Sequence, residues 1–235
     1  MKAPMDDVKL PEVQDMTPSK SELMSRFRSL AAGGIVVPVA MRLFSQTGTY
    51  TDVFQYHPIC MMCAFVMVMP DVVIGIKRLR QPRRRLVRQP GETSTPLEAS
   101  LPRDEIIMRH QLASFLMELA AAGGFAAVEY VKITNNYAHL ASPHGIVGAL
   151  CGAAILCQMA LGAALRYALA PAHPKRRHVR TAHKYVSVAI AVTGMMAMLG
   201  GLLATEYAEK MIPSSVLRTS VAAAAVGTTV VGFFI

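Results

Sequence analysis

The chain has 235 residues, 53% of them hydrophobic, with no Trp, 16 Met and a formal charge of +9. Its mean hydropathy is positive, which argues against a soluble domain of this length and points to a polytopic membrane protein. There is no Gly-rich phosphate loop, no HExxH and no nucleophile elbow, so hydrolysis and nucleotide chemistry find no support.

In chain order, residues 1–26 come first, as a polar N-terminal extension. Its acids, Asp6, Asp7, Glu12, Asp15 and Glu22, equal in number the bases as far as Arg28. That is neither a secretory signal nor an Arg-rich transit peptide, and the first span is expected to act as its own uncleaved insertion signal. Crossing ~30 Å of hydrocarbon takes roughly 20 apolar residues. Such runs occur at 27–45, 54–76, 110–131, 143–169, 183–204 and 215–235. The first is the weakest, because Arg28 and Arg42 bracket a short core containing Gly33, Gly34 and Pro38. The runs are continuous rather than alternating and too few for a barrel, so residues 27–235 read as one all-α membrane bundle of six transmembrane helices. The loop 81–105, with Pro82, Pro90, Pro96 and Pro102, reads as a flexible or extended connector.

Charge orients the bundle. Residues 77–109 carry nine Lys/Arg against four acids, and residues 166–184 carry six against none. The alternate connections hold only Lys132 and Lys210. The positive-inside rule puts the basic loops and both termini on the cytoplasmic side. The run RLRQPRRRLVRQP is therefore a topology signal and lipid-headgroup contact, and nucleic acid is not an expected partner. The cysteines, Cys60, Cys63, Cys151 and Cys157, all fall inside spans and read as small packing residues.

Four of the seven histidines, His57, His110, His144 and His183, stand near the starts of spans two to five. Ionisable groups in lipid are expensive and face the interior. Successive spans run in opposite directions, so His57 and His144 share the outer end of the bundle, while His110 and His183 share the inner end. Two facing imidazoles suit a haem iron, which takes four nitrogens from the porphyrin and two axial ligands from the protein. With both axial positions filled, such a haem passes electrons and has no vacancy for oxygen. Zinc is the competitor, but its sites gather three or four ligands close together. Gly75, Gly162 and Gly201 each follow a candidate ligand by eighteen residues, five full turns, and Gly124 follows His110 by fourteen. These glycines either leave room for the edge of the other porphyrin or serve close helix packing. Among other ionisable residues, Asp71 lies on the His57 face, where it can hydrogen-bond a ligand histidine or a propionate through protonation or a basic partner. Glu118 is expected to be protonated or paired, and His173 and His178 to be solvated.

The run FQYHPICMMCAFVMVMPDVVIGIKR resembles the second span of the cytochrome b-561 family, with its HP pair and an acid, Asp71, fourteen residues after the histidine. HLASPHGIVG is similar to that family's start of span four, and the spacings from His110 to His144 and from His144 to His183, with Gln158 in span four, fit its pattern. The resemblance covers about residues 27–235. It implies two haem b groups, one held by His57 and His144 and the other by His110 and His183. It also implies a transmembrane reductase that moves electrons from a cytosolic small-molecule donor such as ascorbate to ferric iron or monodehydroascorbate on the far side. In the family the donor site uses basic residues near the inner ends of spans; Lys77, Arg78, Lys175 and Arg176 are the nearby ones here, without a one-to-one match. The family's outer substrate histidine is replaced by Tyr130, leaving Lys132 and His139 as the closest substitutes. The loop between His57 and His110 is longer than the family norm. Family precedent favours an endomembrane or vesicle location over the mitochondrial inner membrane, with a homodimer or membrane-complex partners as further expectations. The rival reading is a structural subunit of a larger membrane complex, such as a respiratory one, that keeps this fold.

Overall fold

The computed structural model describes residues 20–47, 52–80 and 103–234, and every regular element among them is helical. Helix α1 runs Lys20–Thr47. The second span is one continuous rod made of a 3₁₀ turn Val53–Gln55, α2 (Tyr56–Met62), a π-helical turn Cys63–Val68 and α3 (Met69–Arg80). Then follow α4 (Arg103–Thr134), α5 (Pro143–Ala163) with a π-helical end Ala164–Ala168, α6 (Arg176–Leu203), the short α7 (Glu206–Met211) and α8 (Ser215–Phe234). Among the described residues six helical segments are long and apolar enough to cross a bilayer, from Leu23–Ser45 to Ser215–Gly232, matching the six runs expected from the sequence. The proline-rich stretch 81–102 and residues 1–19 lie outside the described residues.

Large apolar side chains such as Leu116, Leu150, Val188, Val192 and Met196 are exposed along the spans without lining the internal cavity. That is stable only where the surroundings are lipid. Inside, close packing replaces the hydrophobic drive of a soluble core. One buried cluster joins α1, the second span, α6, α7 and α8 through Ala32, Val36, Leu43, Val66, Met198 and Ala225. Another, at mid-depth, joins the second span to α4, α5 and α6 around Phe65, Met117, Ala121, Cys151, Ile155 and Ile190. Phe65 presses so closely on Gly194 that a Cβ there would meet its ring carbons at 2.2–2.9 Å.

The two arginines that make the first span look weak both have partners. Arg28 is 1% exposed. Its guanidinium pairs with the Asp71 carboxylate and donates to the Met67 carbonyl at 3.4 Å, so Asp71 has the basic partner its depth requires. Arg42 donates from Nε to the Met211 carbonyl at 3.4 Å. Both bonds tie α1 to other helices.

Candidate functional site

Each candidate ligand is placed by recognisable local chemistry. Before α5, Ser142 adopts an extended conformation and accepts from the Gly145 N–H at 3.1 Å, and Pro143 takes the first helical position. Together they start the helix so that His144 lies in its first turn. Before the second span, Asp52 caps the 3₁₀ turn by accepting from the Phe54 N–H, and His57 follows at once.

The structure brings the four histidines together in the expected pairs. The His57 and His144 rings are 6.0 Å apart, centroid to centroid, and near-perpendicular at 84°; those of His110 and His183 are 6.5 Å apart at 77°. The levels are fourteen residues apart along α4, from His110 to Gly124, or about 21 Å at 1.5 Å per residue. The Phe65 cluster fills the depth between them.

Nδ1 of His57 meets the Gly124 carbonyl at 2.9 Å, Nδ1 of His110 the Val72 carbonyl at 3.1 Å, and Nδ1 of His144 the Ala197 carbonyl at 2.8 Å. A carbonyl can only accept, so in all three rings the proton is on Nδ1 and Nε2 is left as a free donor pair for a metal. His183 differs: the backbone of Gln158 interacts with the ring, Nδ1 closes no well-formed hydrogen bond, and the Gln158 amide nitrogen lies 3.3 Å from Nε2.

The carbonyls follow a rule. Gly124 stands fourteen residues after His110, Gln158 fourteen after His144 and Ala197 fourteen after His183, whereas Val72 stands fifteen after His57. The extra residue in span two coincides with the π-helical turn Cys63–Val68. A π turn absorbs one added residue without changing the face presented beyond it. Position fourteen, where Asp71 drew attention in the sequence, is thereby turned toward Arg28, and Val72 takes the accepting place. The exchange is reciprocal between the second span and α4, each holding the other's histidine; between α5 and α6 it is His144 that is held, by the Ala197 carbonyl.

Gly201 and Gly162 each lie beside an imidazole of the other level. A Cβ at Gly201 would meet His144 Cε1 at 3.1 Å, and one at Gly162 would meet His183 Cε1 at 3.5 Å. Each stands four residues beyond the Ala197 or Gln158 carbonyl, one turn on along the same face. Gly124 gives close approach to the second span, its notional Cβ 3.2 Å from the His57 carbonyl and 3.1 Å from Cys60.

A cavity of about 1090 Å³ opens around the outer pair, lined mostly by apolar side chains from α1, the second span, α4, α5, α6 and α7. Glu118, Glu129, Lys132 and Tyr207 are among its polar lining residues. Its rim includes Leu140, whose φ of 55° is unusual for a residue with a branched side chain.

The remaining candidates are spread more widely. His139 is paired with Glu129 at 2.8 Å on the outer side. Arg176 donates to the carbonyls of Leu165 and Leu169, which ends α5, and so is committed to the fold. Lys175 is exposed beside it. Lys77 and Arg78 lie on α3, their side chains outside the described residues. His178 is exposed as expected, whereas His173 is half-buried and accepts from the Lys175 N–H through Nδ1. Tyr207 and the accepting carbonyls are what sequence reasoning missed; the fourteen-residue interval was visible, but only its side chains were weighed.

The donor set fits a bis-imidazole metal group. Two metal–nitrogen bonds of roughly 2.0–2.1 Å, with about 1 Å more on each side to the ring centres, put the centroids about 6 Å apart, close to both observed separations. Three of the four rings already have Nδ1 engaged and Nε2 free. Among the described residues no cluster of three or more His, Cys, Asp or Glu gathers as zinc would want. Fold and histidines together describe a class: an all-helical membrane protein with paired imidazoles at two depths.

Residues 98–209 match the family model for eukaryotic cytochrome b561, the family that the sequence resembles. The match takes in His110, His144 and His183, and His57 lies ahead of it. The family implies transmembrane electron transfer through haem b. No curated protein matches the chain.

Proposed function

We propose that the chain conducts electrons across its membrane through two b haems, the outer one between His57 and His144 and the inner one between His110 and His183. The observation that carries this reading is the reciprocal placement of imidazoles, three of them with Nδ1 on a carbonyl of a partner helix and Nε2 free. A haem in such a site supplies a one-electron couple with no open coordination position. The protein's part is to hold the rings. A carbonyl on Nδ1–H fixes each ring's tautomer and orientation and raises the basicity of Nε2, which favours the oxidised iron. The apolar walls of the outer cavity and the packed Phe65 layer keep water from the path between the levels.

The donor side of this proposal is the face bearing the basic loops. Lys175 and His178 are exposed there, next to exposed Arg177 and Arg180, and such a surface attracts an anionic donor such as ascorbate. Arg176, held by carbonyls of α5, is left out of that role. The acceptor, ferric iron or monodehydroascorbate, would approach the outer cavity near Lys132 and the His139–Glu129 pair. Pyridine haemochrome quantification on the purified chain tests the reading. Two haems per chain, with a b-type reduced-minus-oxidised spectrum, are expected; a value near zero would sink it.

A further inference from the structure

Tyr207 stands on α7, outside the spans, with its ring edge-on to Phe54 at 4.5 Å between centroids; Phe54 in turn lies 5.9 Å from the His57 ring. The Tyr207 hydroxyl is buried and has no hydrogen-bond partner. Buried hydroxyls are nearly always paired, and one left alone asks for an explanation. Burial, and then the charge of Asp52, push the phenol up to about 12, so it carries its proton at any physiological pH.

Tyr207 lines the same cavity as His57 and His144. Nearby hydroxyls are already in use: Thr205 donates to the Gly201 carbonyl and accepts from the Ala208 N–H, and Ser142 accepts from Gly145. Glu129 is taken by His139. Lys132 adds a positive charge to the cavity lining. Tyr207 with its idle O–H donor, and Lys132 with its charge, line a cavity that is mostly apolar apart from the imidazoles, Glu118 and Glu129, and together they suit a flat apolar group with an anionic edge.

We infer that the Tyr207 hydroxyl donates a hydrogen bond to a carboxylate of the outer haem and thereby fixes how that haem is turned in its cavity. The inference rests on the outer cavity being a haem site. A haem carries two propionates, and a buried carboxylate needs donors as much as this hydroxyl needs an acceptor. The bond would also offset negative charge near the outer iron and raise its potential.

Tyr207→Phe removes the oxygen alone and keeps the ring against Phe54. In the purified full-length protein, the component assigned to the outer haem should lose haem to an excess of a haem-scavenging globin about tenfold faster, as expected for losing a hydrogen bond to a charged group. Its midpoint potential should fall by up to ~59 mV, the equivalent of a tenfold change for one electron. The inner component should keep wild-type values, which shows that the fold is intact. Wild-type behaviour of both components would overturn the inference, and so would equal changes in both, which would mean general loosening. An unaltered outer potential with a raised KM for a ferric chelate would give the hydroxyl to the acceptor and overturn it too. A wild-type chain without haem would instead remove the reading beneath it.

Discussion

Gly201 and Gly162 hold equivalent places against His144 and His183, yet the space beside them differs, and that difference predicts an asymmetry. A methyl group at Gly201 would lie 3.1 Å from His144 Cε1 and 3.5 Å from Nδ1, whereas at Gly162 the nearest ring atom is at 3.5 Å. The second is ordinary contact. The first requires the ring to give way by a few tenths of an ångström, and His144 is pinned by the Ala197 carbonyl at 2.8 Å, on the same helix as the intruding methyl. Turning a pinned imidazole off its rotamer costs about 0.5–1.5 kcal/mol. That weakens binding of the group it ligates by roughly 2- to 13-fold. Gly201→Ala should therefore release the outer haem several-fold faster than wild type, read by transfer to a scavenging globin, and Gly162→Ala should leave the inner haem within a factor of two. If Gly162→Ala disturbs its haem as much as Gly201→Ala does, the imidazoles are not confined as described, and the argument from ring position fails.

Three further outcomes are expected. His144→Ala should abolish one spectral component and His183→Ala the other; loss of the same component in both would show that the pairs are wrongly drawn. Gly194→Ala should lower stability by about 1–3 kcal/mol through overpacking against Phe65, measured by thermal unfolding in detergent, and an unchanged midpoint would show that Phe65 yields freely. Asp71→Asn should destabilise more than Arg28→Met. It strands a guanidinium that is fully buried, a change worth roughly 3–5 kcal/mol; the reverse leaves a carboxylate that is 51% exposed. Equal losses in chemical denaturation would contradict this reading of the ion pair.

Much of this arrangement was legible in the sequence. Six apolar runs and four histidines near span starts led to the bundle and to the pairs, because the bilayer fixes helix length and antiparallel order fixes which ends meet. The fourteen-residue interval was visible after three of the four ligands, at Gly124, Gln158 and Asp71. Its meaning was not, because the acting group there is a backbone carbonyl, which every residue type carries. The π-helical turn was equally hidden: nothing in CAFVMV marks an added residue, so Asp71 stood where Val72 acts. The partner of Asp71 lies 43 positions earlier in the chain, a distance that no periodicity spans. Tyr207 carries no such signal, because it lies in a connection between spans, outside the apolar runs.

The reciprocal grip of the second span and α4, matched in one direction by the hold of α6 on His144, bears on how such a molecule is made. The first hairpin completes both of its ring-to-carbonyl contacts without the second, so it can be laid into the membrane and settle while the second is still being synthesised. Every imidazole pair, however, takes one ring from each hairpin. A metal group seated in a pair would then bridge the two hairpins, adding to the packing of Phe65 on Gly194 that already joins the second span to α6.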